Sequence, residues 1–158
     1  MADPSASPPT LYAWAGGNAA LTRMIECFYD RAEEDELIAP LFPGGVSRQH
    51  RDHVSAWWQE VFGGPPRYSG ELGGYHAMVS KHRNLGISVE QRRRFVELMS
   101  VAADDAGLPG DPEFRSALLA YLEWGTRLAM HNSKPGADVV MQAPMPRWGW
   151  GEAPPFEG

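Results

Sequence analysis

Five histidines, His50, His53, His76, His82 and His131, are the side chains of this 158-residue chain best suited to chemistry near neutral pH. None belongs to a familiar catalytic string: there is no Gly-x-Ser-x-Gly, glycine-rich phosphate loop, His-Glu-x-x-His or Cys-x-x-Cys. His82 falls in a short helical stretch, with Met78 one turn before it and the apolar Leu85 and Ile87 after it. An imidazole so placed offers a neutral nitrogen to an iron porphyrin, while its other N–H is held by a carbonyl of its own helix. Lys81 and Arg83, on either side, could meet the porphyrin carboxylates. His50, Val54 and Trp57 stand at i, i+4 and i+7 and so share one helix face. Tyr29 adds a hydroxyl and Phe42 a ring, and the set describes an apolar slot with few polar groups. The same residues also suit an ordinary helical core with His50 at its margin, because a Val54, Trp57, Trp58, Val61 stripe packs well against other helices. A zinc site from His50, His53 and His76 lacks a fourth ligand at sensible spacing, and Asp104-Asp105 reads as a solvated helix face.

The elements that position these residues read as helices. Asn18, after Gly16-Gly17, is the expected cap of a helix carrying Leu21, Ile25, Phe28, Tyr29 and Ala32; it fades in the acidic run 33–36 and is stopped by Pro40 and Pro43. Ser47 opens a second helix with His50, Val54, Trp57, Trp58 and Val61, closed by Gly63-Gly64-Pro65-Pro66. After the glycine-rich stretch 70–74 a shorter helix covers residues 75–83. Ser88 and Gln91 form a capping-box signature ahead of Phe95, Leu98, Met99, Ala102 and Ala103. Asp111-Pro112 starts the last helix, which Leu118, Leu119, Leu122, Leu128 and Met130 carry to Asn132. No segment alternates as a strand would, so the chain reads as all-α with about five helices.

Composition narrows the partners. Fourteen Lys and Arg against twenty Asp and Glu leave a net charge of -6, and the one basic cluster, Arg92 to Arg94, is short, with Glu97 close behind it. That balance speaks against nucleic acid. Nothing approaches the roughly 18 apolar residues of a membrane span, and the first residues lack the basic and apolar regions of a secretory signal. A lone Cys27 excludes an internal disulfide and points to the reducing cytoplasm. Seventeen glycines and fourteen prolines make up about 20% of the chain, above the roughly 12% expected. They concentrate at the ends, dividing the chain into an N-terminal extension (1–10), a domain (11–132) and a Pro/Gly/Trp-rich C-terminal extension (133–158). With Trp148, Trp150 and Phe156 that tail is too aromatic for solvated chain; it is expected to pack on the domain or on a second copy, giving a homodimer.

From Leu11 to Asn132 the chain resembles the truncated hemoglobins, group II in particular. The resemblance rests on Gly16-Gly17, Phe28-Tyr29, Asp35, Leu41-Phe42-Pro43, Val61-Phe62-Gly63-Gly64-Pro65, Tyr68-Ser69, and Lys81-His82-Arg83 with Ile87. Order and spacing agree throughout, apart from an insertion near Gly73. It implies a two-over-two helical sandwich, a shortened globin, around heme b. By position, His82 matches the proximal iron ligand, Tyr29 the distal tyrosine and Phe42 the aromatic that packs on the heme. His50 falls at the distal helix position, Val54 one turn later, and Trp57 and Trp58 match the aromatic wall. Met78, Lys81, Arg83, Ile87 and Phe95 complete the expected heme-contacting set. One departure stands out: group II proteins typically carry a ligand-stabilising tryptophan thirteen residues after the proximal histidine, where this chain has Phe95. Phenylalanine cannot donate, so His50 is expected to take over that role, or to bind the iron itself when no ligand is present.

The resemblance implies a heme protein that reversibly binds dioxygen, with nitric oxide, carbon monoxide or peroxide as further ligands. Oxygen transport, nitric oxide dioxygenase and peroxidase-like turnover are the activities such a site supports. No flavin or nicotinamide motif is present, so sustained turnover needs a separate reductase. The competing reading is a non-heme helical interaction module that docks a partner through the Trp-rich tail.

Overall fold

A computed structural model describes residues 7–155 of the chain. Among them are seven α-helices, one 3-10 turn and no strand. The helices are α1 (Leu11–Ala15), α2 (Gly17–Glu34), α3 (Arg48–Val61), α4 (Arg67–Glu71), α5 (Gly74–His82), α6 (Val89–Asp105) and α7 (Pro112–Asn132), and the turn is Ala39–Leu41.

Local chemistry explains most of these boundaries. Ser47 caps α3 by accepting from the His50 N–H, and Ser88 and Gln91 close a reciprocal capping box on α6. Asp111 caps α7 by accepting from the Phe114 N–H at 2.9 Å, with Pro112 at the first helical position. The cap of α2 is Gly16 and not Asn18. Gly16 has φ 112, a left-handed conformation, and a Cβ there would stand 2.9 Å from that of Ala20. Asn18 is already inside the helix, where its side-chain oxygen accepts from Thr22 (3.2 Å) and Gln59 (2.8 Å). Two one-turn helices, α1 and α4, go beyond the five expected, because a single turn has no room for a periodic stripe. The α1 cap, Thr10, accepts from the Ala13 N–H at 3.0 Å. Leu119, expected on the apolar stripe of α7, is 48% exposed; Tyr121 takes its place in the core.

The helices α2 and α3 pack together, α6 and α7 pack together, and α2 lies on α6, which gives the two-over-two sandwich. Leu21, Met24 and Phe28 of α2 meet Met99 and Ala102 of α6 and Phe114, Leu118 and Leu122 of α7 in a dry core. Each large side chain fully buried there contributes roughly 1.5–3 kcal/mol. Tyr12 of α1 donates its backbone N–H to Phe62 (2.8 Å), and Gly64 lets the Tyr12 ring pass where a Cβ would come within 2.7 Å of it. Arg51, nearly buried on α3, binds three carboxylates of α2: Glu26 (2.9 Å), Asp30 (2.8 Å) and Glu33 (3.1 Å). This fixes the α2–α3 crossing. Asp35 accepts from the Leu37 and Ile38 N–H groups and from Arg94 of α6, which sets the loop that carries Phe42.

The tail lies on its own domain. Ser133 receives the Gly86 and Ile87 N–H groups, Met141 sits beside Arg83, and Gln142 is 3.4 Å from His76, so the chain crosses α5. Trp148 then donates its backbone N–H to Val61 (2.8 Å) and its indole N–H to Ala117 (3.1 Å). Trp150 donates to Pro9 (2.7 Å) and meets Trp14 edge-on. Phe156, the third aromatic of the tail, lies outside the described residues.

Candidate functional site

A cavity of about 490 Å³ opens among α2, α3, α5, α6 and α7, well within the range of small-molecule and cofactor sites. It is lined by Tyr29, Phe42, His50, Val54, Trp57 and Trp58, and by Met78, Lys81, His82, Ile87 and Phe95. Sequence spacing thus brings eleven of its twelve candidates to one place. The exception is Arg83, which does not line the cavity; its guanidinium lies 3.8 Å from the Met141 sulfur on the tail. Lys81 stands at the rim, 3.4 Å from the His53 ring.

His82 closes α5, and its Nδ1–H donates to the Met78 carbonyl one turn back at 2.8 Å. Its Nε2 has no protein partner among the described residues. Burial pushes the imidazole below its ordinary pKa, so it is neutral at pH 7. A neutral ring with one nitrogen tied to a carbonyl and the other free is what an iron ligand requires.

A second wall carries two polar groups on crossed helices. Tyr29 Oη on α2 and His50 Nε2 on α3 share a hydrogen bond at 3.0 Å. Burial first, then the nearby Lys81, His82 and His53, push His50 down to about 4, so this ring too is neutral. Burial also keeps the Tyr29 phenol protonated well above its usual range. Phe42 packs edge-on against both rings, at 5.6 and 5.5 Å, and Phe95 leans on Phe28 at 4.5 Å. The Arg51 clamp extends to this pair, its guanidinium carbon lying 5.8 Å from the Tyr29 ring centre.

Sequence reading missed Arg92, Tyr121 and Trp124, which also line the cavity. Arg92 belongs to the supposed basic cluster, yet it is 5% exposed and pairs with Glu123 of α7, leaving its Nε–H without an acceptor among the described residues. Its spacing from Phe95 and Met99, three and seven residues on, could have revealed it. The three histidines whose spacing already disfavoured a zinc site part company, with His50 on Tyr29, His53 by Lys81 and His76 by Gln142. No three His, Cys, Asp or Glu side chains among the described residues could share a metal ion. The donor set therefore fits a flat, largely apolar group whose metal would be held by a single imidazole. His82 would hold that metal, and Phe42, Val54, Ile87 and Phe95 would bracket the group.

The architecture and this cavity are those of a small heme-binding helical protein, and comparison with known proteins agrees. Residues 10–126 match the sequence model of the bacterial-like globins, and the chain belongs to that family. A group 2 truncated hemoglobin of Bacillus subtilis is 30% identical over 112 residues, 70% of this chain and 81% of that protein. Among solved structures, the hemoglobin of the thermophilic phototroph Chloroflexus aurantiacus superposes with TM-score 0.68 and 30% identity, covering 77% of this chain and 98% of that one. The truncated oxygen-avid hemoglobin of Bacillus subtilis gives TM-score 0.66 and 26% identity, covering 75% and 97%. Membership brings a heme cofactor and the binding of small diatomic ligands such as dioxygen. It replaces the reading as a non-heme interaction module, and the tail indoles offered to a partner in that reading are engaged with the chain itself. No helix of the described residues is long and apolar enough to cross a membrane.

Proposed function

We propose that the chain binds heme b through His82 Nε2 and holds dioxygen reversibly, with nitric oxide and carbon monoxide as further ligands. The observation that carries this reading is the Met78-oriented, neutral His82 in a cavity whose second wall presents the Tyr29–His50 pair. When bound, the heme iron supplies a position at which a diatomic ligand attaches and acquires partial negative charge. Tyr29 and His50 would stabilise that charge as a linked pair: with His50 Nε2–H donating to Tyr29 Oη, the Tyr29 O–H is left to donate to the ligand in a water-poor site, a bond worth about 0.5–1.5 kcal/mol. Phe42, Val54 and Phe95 exclude water around them.

That arrangement assigns His50 the Nε2–H tautomer, and direct ligation of iron by His50 requires the Tyr29 bond to break first. The setting we propose is the reducing cytoplasm, where a separate reductase would sustain nitric oxide dioxygenation. Peroxide is a further ligand of the same site, held by the same Tyr29 hydroxyl. Optical titration of the purified protein with heme tests the reading. A Soret band that His82→Ala abolishes and added imidazole restores is expected; an unchanged band in His82→Ala overturns the ligand assignment.

A further inference from the structure

The cavity wall formed by α3 and α7 is made of oxidisable rings that diatomic binding leaves unused. Trp57, Trp58, Tyr121 and Trp124 all face the cavity. The Trp57 indole donates to Tyr121 Oη at 2.6 Å, and the Trp58 ring lies 4.7 Å from Tyr121. Behind Tyr121 stand Trp148 at 5.5 Å and Trp124 at 6.2 Å, themselves 5.7 Å apart. Trp124 is 39% exposed, so the file of rings runs from the cavity to solvent. Electron tunnelling decays steeply with distance, and every ring-to-ring step here is short.

The rings are not equivalent. The Tyr121 O–H has no acceptor among the described residues, and burial holds its proton, so Tyr121 bridges the indoles without itself being oxidised. An indole can lose an electron first and its proton later, and at Trp124 water is present to take that proton. Trp148 comes from the C-terminal extension and is pinned through Val61 and Ala117, so it joins the file only with the tail docked, beside the direct Tyr121–Trp124 step.

We infer that these rings form an electron relay that lets the heme site oxidise small phenols at Trp124, at the protein surface, with hydrogen peroxide as oxidant. The inference rests on the heme reading above. Reduction of peroxide to two waters needs two electrons and two protons; the electrons are drawn one at a time from the cavity wall and the protons come from solvent. For each electron, a cavity indole is oxidised and is refilled through Tyr121 and Trp148 from Trp124, whose N–H proton goes to water. The neutral Trp124 radical then takes an electron and a proton from a phenol, which leaves as a phenoxyl radical. Two such transfers consume one peroxide and two phenols.

Freeze-quench electron paramagnetic resonance on the ferric, heme-loaded protein mixed with peroxide tests this, with guaiacol oxidation measured in parallel and peptide mapping of oxidised residues. A tryptophan radical and oxidation at Trp124 are expected in the parent protein. Trp124→Phe should remove both and slow guaiacol oxidation at least tenfold; Trp148→Phe should slow it severalfold. A parent radical confined to Tyr29, or full guaiacol turnover in Trp124→Phe, overturns the relay. The Soret band separates the two ideas: its absence in the parent overturns the heme reading, whereas its presence without a tryptophan radical overturns only the relay.

Discussion

The two walls of the cavity that carry histidines are built in opposite ways. His50 stands on the α2–α3 pair, helices of 18 and 14 residues whose crossing is locked by Arg51 against three carboxylates. His82 is the last residue of α5, a nine-residue helix that begins at Gly73 without a side-chain cap and buries only Val79. The first wall positions two donors relative to each other across a helix crossing, which demands rigidity. The second needs one nitrogen aimed correctly, and a single bond to the Met78 carbonyl does that. The tail, crossing α5 beside His76 and Arg83, supplies what support the short helix lacks.

Breaking the rigid wall should have the largest effect on folding. Arg51→Met leaves Glu26 and Glu33 without their shared cation and is expected to cost about 2–3 kcal/mol, lowering Tm by about 5–10 °C in calorimetry. Acid should reveal the same clamp. The Arg48 and Arg51 guanidiniums hold Glu26 below the ordinary carboxylate range, the Val46 N–H and Arg51 do so for Glu33, and Arg94 with the Leu37 and Ile38 N–H groups does so for Asp35. Carboxyls whose folded pKa is depressed contribute stability above their unfolded values, near pH 4. That stability disappears as pH falls through the folded values. Denaturant midpoints should therefore hold from neutral pH to about 5 and drop below 4, and in Arg51→Met the drop should be shallower. An acid limb unchanged in the variant would mean that Arg51 does not set these carboxyls.

Dissecting the donor pair comes next in size. With Tyr29→Phe and His50→Leu combined, dioxygen dissociation in stopped flow should speed up at least tenfold, equivalent to about 1.4 kcal/mol. An unchanged rate would remove the pair from the ligand site. His82→Ala acts on the other wall and should affect heme retention instead, so the two sets of variants separate the functions of the two walls.

What the sequence disclosed follows from the physics of each element. The helices α2, α3, α6 and α7 carry apolar repeats of several turns, and Ser47, Ser88 and Asp111 cap the last three as their spacing requires. The one-turn helices α1 and α4 leave no periodic trace, and the cap of α2 falls two residues before Asn18 because a left-handed glycine can start a helix without a side-chain bond. Eleven candidate residues converge on one cavity, some chosen by helical spacing and others, Phe95 among them, by the family resemblance. Arg92 was hidden because arginine beside arginine reads as solvated charge, and its burial depends on Glu123, which is remote in sequence. Tyr121 was hidden because its partners come from α3 and from the tail. Neither partnership is encoded locally. Arg83 stands apart for a similar reason: it is adjacent to His82 in sequence, yet its guanidinium lies against Met141 of the tail.

The smallest expected effect tests whether α6 belongs with the rigid wall. Ser88→Ala removes the side chain that accepts from the Gln91 N–H, and loss of such a cap costs about 1 kcal/mol. Gln91 itself has two duties, accepting from the Ser88 N–H and donating to the Leu37 carbonyl at 3.0 Å, and neither involves the Ser88 hydroxyl. The Leu37 bond joins α6 to the loop that carries Phe42, so the aromatic face over Tyr29 and His50 should survive the substitution. Ser88→Ala should therefore lower Tm by about 2–4 °C while leaving the dioxygen dissociation rate within twofold of the parent. A large change in that rate would mean that the end of α6 moves with its cap, and that Phe95 and Phe42 take their positions from helix stability rather than from the Gln91 and Asp35 contacts that tie α6 to the Phe42 loop.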